Sequence, residues 1–265
     1  MSLSMLTAIF MKELQNLYQK KSEALYDQID ITFIPVINVG TYKMINNAWL
    51  SKDPEWEGIK MSRKNRRPCT GLCESKWICG VDINRNYGYK FGVDNVGSSV
   101  SECGDDHRGS HAFSEPETQS IKKIFDKNHG FLVSAVSLHS YGPLVLNSMQ
   151  WDDKQNKDLE NYPRYAAFVR ELKKANPSGL KSIKYGNASQ AIDYSANGDA
   201  IDWMLDEHDV FGVTMEIGND DEASQDFYPP AESIPSVLKD FYPNIRHFLD
   251  FHQTKLVNVA ILSKN

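Results

Sequence analysis

Residues 131–138, FLVSAVSL, form a continuous apolar and β-branched run with no face to give to water. The run is strand-sized and far too short to cross a bilayer. It reads as a strand buried on both sides, and such a strand needs helices above and below it. The flanking sequence supplies them. Ser114-Glu115-Pro116-Glu117 reads as a capping box that opens a helix over 115–128. Further helices are predicted over the first twenty or so residues, over 158–175, and from a cap at Asp199 through Glu207. A closing helix carries Ile234, Val237, Leu238, Phe241, Ile245, Phe248 and Leu249 at helical spacing. Strands are predicted at 31–37, 78–83, 144–146 and 210–217. The polar stretch 46–73 and the Gly- and Ser-rich stretch 84–109 read as long loops, and long loops in compact domains usually serve function. The class is α/β: one domain over 1–265, a mixed and mostly parallel twisted sheet with helices on both faces.

Composition narrows the function. Hydrophobic residues at 41% and charged residues at 24% suit a globular domain, and a net charge of −6 argues against a nucleic-acid partner. No segment has the length of a membrane span, and the chain opens on an amphipathic helical pattern rather than a leader peptide. A monomer is expected. Cys69, Cys73, Cys79 and Cys103 fall in one window without the paired C-x-x-C units of a zinc ribbon, so disulfides are favoured over a structural zinc. Disulfides imply an oxidising compartment, and the sequon Asn187-Ala188-Ser189 agrees with a secreted or vesicular/lysosomal protein.

In a sheet of this kind ligands bind beyond the carboxyl ends of the strands. Three predicted strands end there in reactive residues: Asn84-Arg85-Asn86, His139-Ser140-Tyr141-Gly142 and Glu216. Each has a plainer reading. His139 could be a core histidine bonded to a carbonyl, Glu216 a cap or an arginine's partner, and Arg85 that partner. His107 and His111 flank Gly109 in a loop, and His247 and His252 fall on different faces of the last helix as surface residues. No H-E-x-x-H, G-x-S-x-G or phosphate-loop motif occurs.

Taken in order, Arg63-Lys64-Asn65-Arg66, Gly80-Val81-Asp82-Ile83-Asn84-Arg85-Asn86, Arg108-Gly109, Phe113-Ser114-Glu115-Pro116-Glu117, His139-Ser140-Tyr141-Gly142, Tyr194-Ser195-Ala196-Asn197-Gly198, Ile201-Asp202-Trp203 and Thr214-Met215-Glu216-Ile217-Gly218 resemble the zinc metallocarboxypeptidases of the carboxypeptidase A/B type. The resemblance implies one catalytic zinc ion and a peptide C-terminus as substrate. By position it makes His139 a zinc ligand, Glu216 the general base and Arg63 the cation facing the oxyanion. Asn84 and Arg85 become the clamp on the terminal carboxylate, with Tyr194 closing over the bound residue and Tyr141 lining the next subsite. Asp82 becomes the carboxylate that orients a zinc-bound histidine, and Cys79 and Cys103 a disulfide. Ile201 lies at the floor of the side-chain pocket, which implies an apolar or aromatic terminal residue, although Asp199 stands where the family often has a small one. The residue types suit the chemistry: a guanidinium grips a carboxylate through two parallel hydrogen bonds, and a carboxylate beside a metal-activated water takes its proton at neutral pH.

The family's remaining zinc ligands lie in a His-x-x-Glu motif ahead of a helix like the one that opens this chain. None of the 7 histidines has a glutamate three residues later. A catalytic zinc takes three protein ligands, so the resemblance implies an incomplete zinc site, a sheet lacking its N-terminal strands, poor zinc binding, absent peptidase activity and difficult folding for the sequence taken literally. The alternative is a module that holds peptide C-termini without hydrolysing them.

Overall fold

A computed structural model describes residues 29–151, 163–175, 183–218, 227–251 and 257–263, together with Met11 and Gln15. The strands are β1 (Ile29–Ile34), β2 (Leu132–His139), β3 (Leu144–Asn147), β4 (Lys184–Gly186), β5 (Phe211–Glu216) and β6 (Val257–Ser263). The helices are α1 (Val39–Ser51), α2 (Trp56–Lys60), α3 (Pro116–Lys127), α4 (Pro163–Ala175), α5 (Ala188–Ile192), α6 (Ala200–His208) and α7 (Ile234–Phe251). They build one sheet in the order β1-β6-β2-β5-β3-β4, parallel throughout except where β3 meets β5. Apart from Met11 and Gln15, the expected opening helix lies outside the described residues, as does the start of the helix expected from 158.

The buried run behaves as its composition demands. Alternation along β2 sends Val136 and Leu138 into a core with Tyr165, Phe168 and Leu172 of α4 and Phe241, Ile245 and Phe248 of α7. Leu132 and Ala135 face the other layer, where Phe125 of α3 and Trp203 of α6 pack. Phe131, at the rim, is exposed, so the strand runs one residue later than its apolar run.

β6 lies between β1 and β2 and pairs with both, which the sequence reading did not foresee. On that side β2 is therefore covered by a hydrogen-bonded neighbour. The β-branched pattern of Val257, Val259 and Ile261 was the available signal.

Three further expectations are corrected. Residues 46–73 are not all loop: α1 runs to Ser51 and α2 follows, because Ala48 and Ile59 have core to bury. Residues 78–83 form no strand. Val81 gives its N–H to the Asn65 side chain (2.9 Å), and Asp82 accepts from the Asn84 N–H (3.0 Å), which turns the chain into one 3-10 turn, Ile83–Arg85. The Ser114/Glu117 capping box does not form. Glu115 is the cap position without a side-chain cap bond, Ser114 donates to Glu115 (2.6 Å), and Pro116 starts the helix with its φ already set.

The cysteines pair as Cys69–Cys79 and Cys73–Cys103, correcting the expected Cys79–Cys103 bridge. The Cα separations in the bonded pairs are 5.2 and 5.5 Å, within disulfide range. Asn187 of the sequon is buried and caps α5, accepting from the Gln190 N–H (2.9 Å), so the folded chain does not offer it for glycosylation. His247 is half-buried rather than fully exposed, its ring 5.4 Å from that of Phe168. His252 lies outside the described residues.

Candidate active site

Two clusters carry the residues singled out above. The first stands at the carboxyl ends of β2 and β5, whose register makes His139 and Glu216 cross-strand partners. His139 Nδ1 lies 3.3 Å from Glu216 Oε1, and the Ile217 N–H donates to the His139 carbonyl (3.0 Å). The other ring nitrogen, Nε2, pairs with Ser137 Oγ at 2.9 Å. Ser137 sits two residues earlier on the same face of β2, so strand periodicity was the signal that could have found it. The chain leaves β2 through a cis Ser140–Tyr141 peptide, and Tyr141 is exposed, edge-on to Phe227.

The second cluster gathers around the 3-10 turn. Asn38 and Thr41, at the start of α1, hold the carbonyl of Lys64 (3.1 and 2.6 Å), while Asn38 also reaches that of Arg63 (3.3 Å). Lys64 is buried and its Nζ donates to the carbonyls of Glu102 and Gly104. Thus the segment fixes Arg63, which donates to fully buried Asp82 (2.5 Å). Asp82 thus pairs with Arg63 and also accepts from the Asn84 N–H.

Arg85 is buried, with Nη1 on the Asn84 carbonyl (2.8 Å) and Nη2 on the Tyr194 hydroxyl (2.7 Å). Its Nε is buried without a hydrogen-bond partner among the described residues. Burial opposes its charge, yet Asp82, Tyr194 and Asp199 outweigh that and hold the guanidinium above its ordinary value. Tyr194 itself is 42% exposed. Gly198, at φ +66°, lets the chain pass so close to Arg85 that a Cβ would strike the Arg85 carbonyl.

The Asn84 amide is already engaged: Nδ2 donates to Asp199 Oδ2 (2.6 Å) and Oδ1 accepts from the Ala200 N–H (3.2 Å). Asp199 caps α6 as the sequence predicted, its Oδ1 accepting from the Ile201 N–H (2.9 Å). Ile201 is fully buried against Gly212. Burial, with Asp199 alongside, holds the Asp202 carboxyl well above the usual carboxylate range. Opposing this, Asp202 accepts from the Met149 and Gln150 N–H groups (2.6 and 2.9 Å).

The sequence model of the zinc carboxypeptidase family matches residues 4–244, nearly the whole chain. The chain belongs to the zinc carboxypeptidase family. It is 30% identical over 222 residues to zinc carboxypeptidase A 1 of Anopheles gambiae, covering 82% of this chain and 46% of that protein. To carboxypeptidase B2 of Bos taurus it is 28% identical, over 75% of this chain and 43% of the relative. To human carboxypeptidase A1 it is 31% identical, over 68% and 40%. The chain therefore spans less than half the length of these curated relatives. In fold it is similar to bovine thrombin-activatable fibrinolysis inhibitor solved with a tick carboxypeptidase inhibitor (TM-score 0.64, 23% identity, 83% of this chain and 68% of that one). Carboxypeptidase A from Helicoverpa armigera is also similar (TM-score 0.59, 18% identity, 89% and 63%).

The family name implies zinc, and the donor set among the described residues does not make a complete centre for it. Among the described residues no trio of His, Cys, Asp or Glu ligand atoms converges at His139. The one such trio among them, the sulfurs of Cys69, Cys73 and Cys79, is already committed to disulfides.

Proposed function

We propose that this chain binds the C-terminal residue of a peptide and carries the carboxylate-gripping and proton-transferring groups of a metallocarboxypeptidase. One observation carries the reading: Arg85 is a buried cation with an orphaned Nε donor, among the described residues, beneath the exposed Tyr194. A buried guanidinium donor without a partner is costly, and a carboxylate satisfies Nε and a terminal nitrogen together. Glu216, facing His139, is the group to take a proton from water and return it to the leaving amine. Arg63, half exposed, is the cation to meet negative charge on the scissile carbonyl. Both oxygens of Asp199 are engaged by Asn84 and Ile201, which leaves them poorly placed for a basic side chain and favours an apolar or aromatic last residue. The two disulfides support a secreted or vesicular setting.

The incomplete ligand trio at His139 favours a second reading, in which the chain binds peptide C-termini without hydrolysing them. One experiment addresses both. A blocked dipeptide ending in phenylalanine and its C-terminal amide are titrated against the wild type and Arg85→Gln, and release of free phenylalanine is followed with added zinc. The wild type should prefer the acid over the amide by about tenfold or more, and Arg85→Gln should lose that preference. Equal binding of acid and amide by the wild type overturns the proposal. Release of phenylalanine separates the hydrolase from the binding module.

A further inference from the structure

At the opposite end of β2 and β5, the sheet brings a second pair of imidazoles together. His129 lies three residues before β2 in the turn that follows α3, and His208 ends α6 three residues before β5. The two strands are parallel neighbours, so helices that feed them end side by side. The two Nδ1 atoms approach to 3.1 Å, with the rings 62° apart. Two protonated Nδ1 atoms cannot sit at that distance. Either one nitrogen donates to the other, or both lone pairs face a shared cation.

We propose that His129 and His208 form a surface site for a divalent transition-metal ion of the imidazole-binding class, zinc being the probe of choice. A tetrahedral ion bound about 2.0–2.1 Å from each nitrogen sets its imidazole nitrogens about 3.3 Å apart, so the pair is already close to ligand spacing. A second observation points the same way. His208 is buried, and its Nε2 has no hydrogen-bond partner among the described residues but lies 3.7 Å from Asp126 Oδ1. A histidine bound to metal through one ring nitrogen characteristically presents the other N–H to a carboxylate, and Asp126 is the carboxylate nearest that nitrogen, although it lies beyond hydrogen-bond reach and its oxygens accept from Lys122 (2.9 and 2.7 Å). Trp203 and Phe125 pack edge-on against the His208 ring and fix its orientation. His129 and Asp126 are exposed, so an ion has a way in, and water completes its coordination. Bound there, the ion ties the ends of α3 and α6 across the foot of β2 and β5. The inference is independent of the peptide site.

The test uses the metal-stripped chain, ¹⁵N-labelled at histidine, titrated with zinc chloride. Zinc should shift the Nδ1 resonances of His129 and His208 together and raise the melting temperature. His129→Gln, in an exposed turn and checked for folding by circular dichroism, should abolish the His208 shift. Asp126→Asn should weaken binding about tenfold. Zinc that moves other histidine signals but leaves these two unshifted overturns the proposal. So does equal zinc affinity at His208 in the wild type and His129→Gln.

Discussion

His139 and Glu216 are cross-strand partners at the last position of the β2–β5 ladder, with Nδ1 and Oε1 3.3 Å apart. Parallel register alone delivers an imidazole and a carboxylate to one point at the mouth of the sheet. Neither depends on a mobile loop for its position, which suits groups that must be held accurately.

Replacing Glu216 by glutamine keeps the shape and removes the base. Peptide acid binding should stay within about twofold, while any release of the terminal residue should fall by about 10²-fold or more. Calorimetric binding and amino-acid release, measured on the same preparation, check this. A variant that still releases the residue at the wild-type rate excludes Glu216 as the base.

Gly198 holds Arg85 in place by letting the chain pass with φ +66°. Gly198→Ala should cost about 1–3 kcal/mol of stability and weaken binding of the peptide acid. Chemical denaturation and the acid-versus-amide titration read the two effects. Unchanged stability and acid preference would show that the close approach is not needed.

Glu115 is buried and accepts from Ser114, Asn65 and Arg67 (2.6, 2.7 and 2.6 Å). Burial works to raise its pKa, but those three donors bring it below the usual carboxylate value. A carboxylate whose folded pKa is depressed stabilises the fold above its unfolded pKa, and that contribution is lost as pH falls through the folded value. Glu115→Gln should therefore cost about 1–3 kcal/mol at pH 7, and the gap to the wild type should close in acid below the carboxylate range. Melting curves across that range test the sign. A gap that widens on acidification contradicts it.

The disulfides link cysteines 10 and 30 residues apart in the chain. Proteolysis without reductant should yield fragments joined Cys69–Cys79 and Cys73–Cys103, and reduction should cost about 2–4 kcal/mol per bridge. Recovery of a Cys79–Cys103 fragment would restore the pairing that family resemblance implied.

Local patterns along the chain were enough to establish the α/β class, the strands around 131–138 and 210–217, the Asp199 cap and the reactive residues at 84–86, 139–142 and 216, while the roles of Arg63, Asp82, Tyr194 and Ile201 came from the family resemblance. Apolar runs, periodicity and caps act over a few neighbouring positions, so they are legible without a fold. The remaining features emerged from long-range packing. It set β6 between β1 and β2 and turned 78–83 away from the sheet through the distant Asn65. It also exchanged the expected cysteine partners, occupied the Asn84 amide with Asp199, and brought His129 against His208. Each of those outcomes joins residues far apart in the chain, where the partner is chosen by packing and hydrogen-bond satisfaction across the whole fold rather than by local propensity.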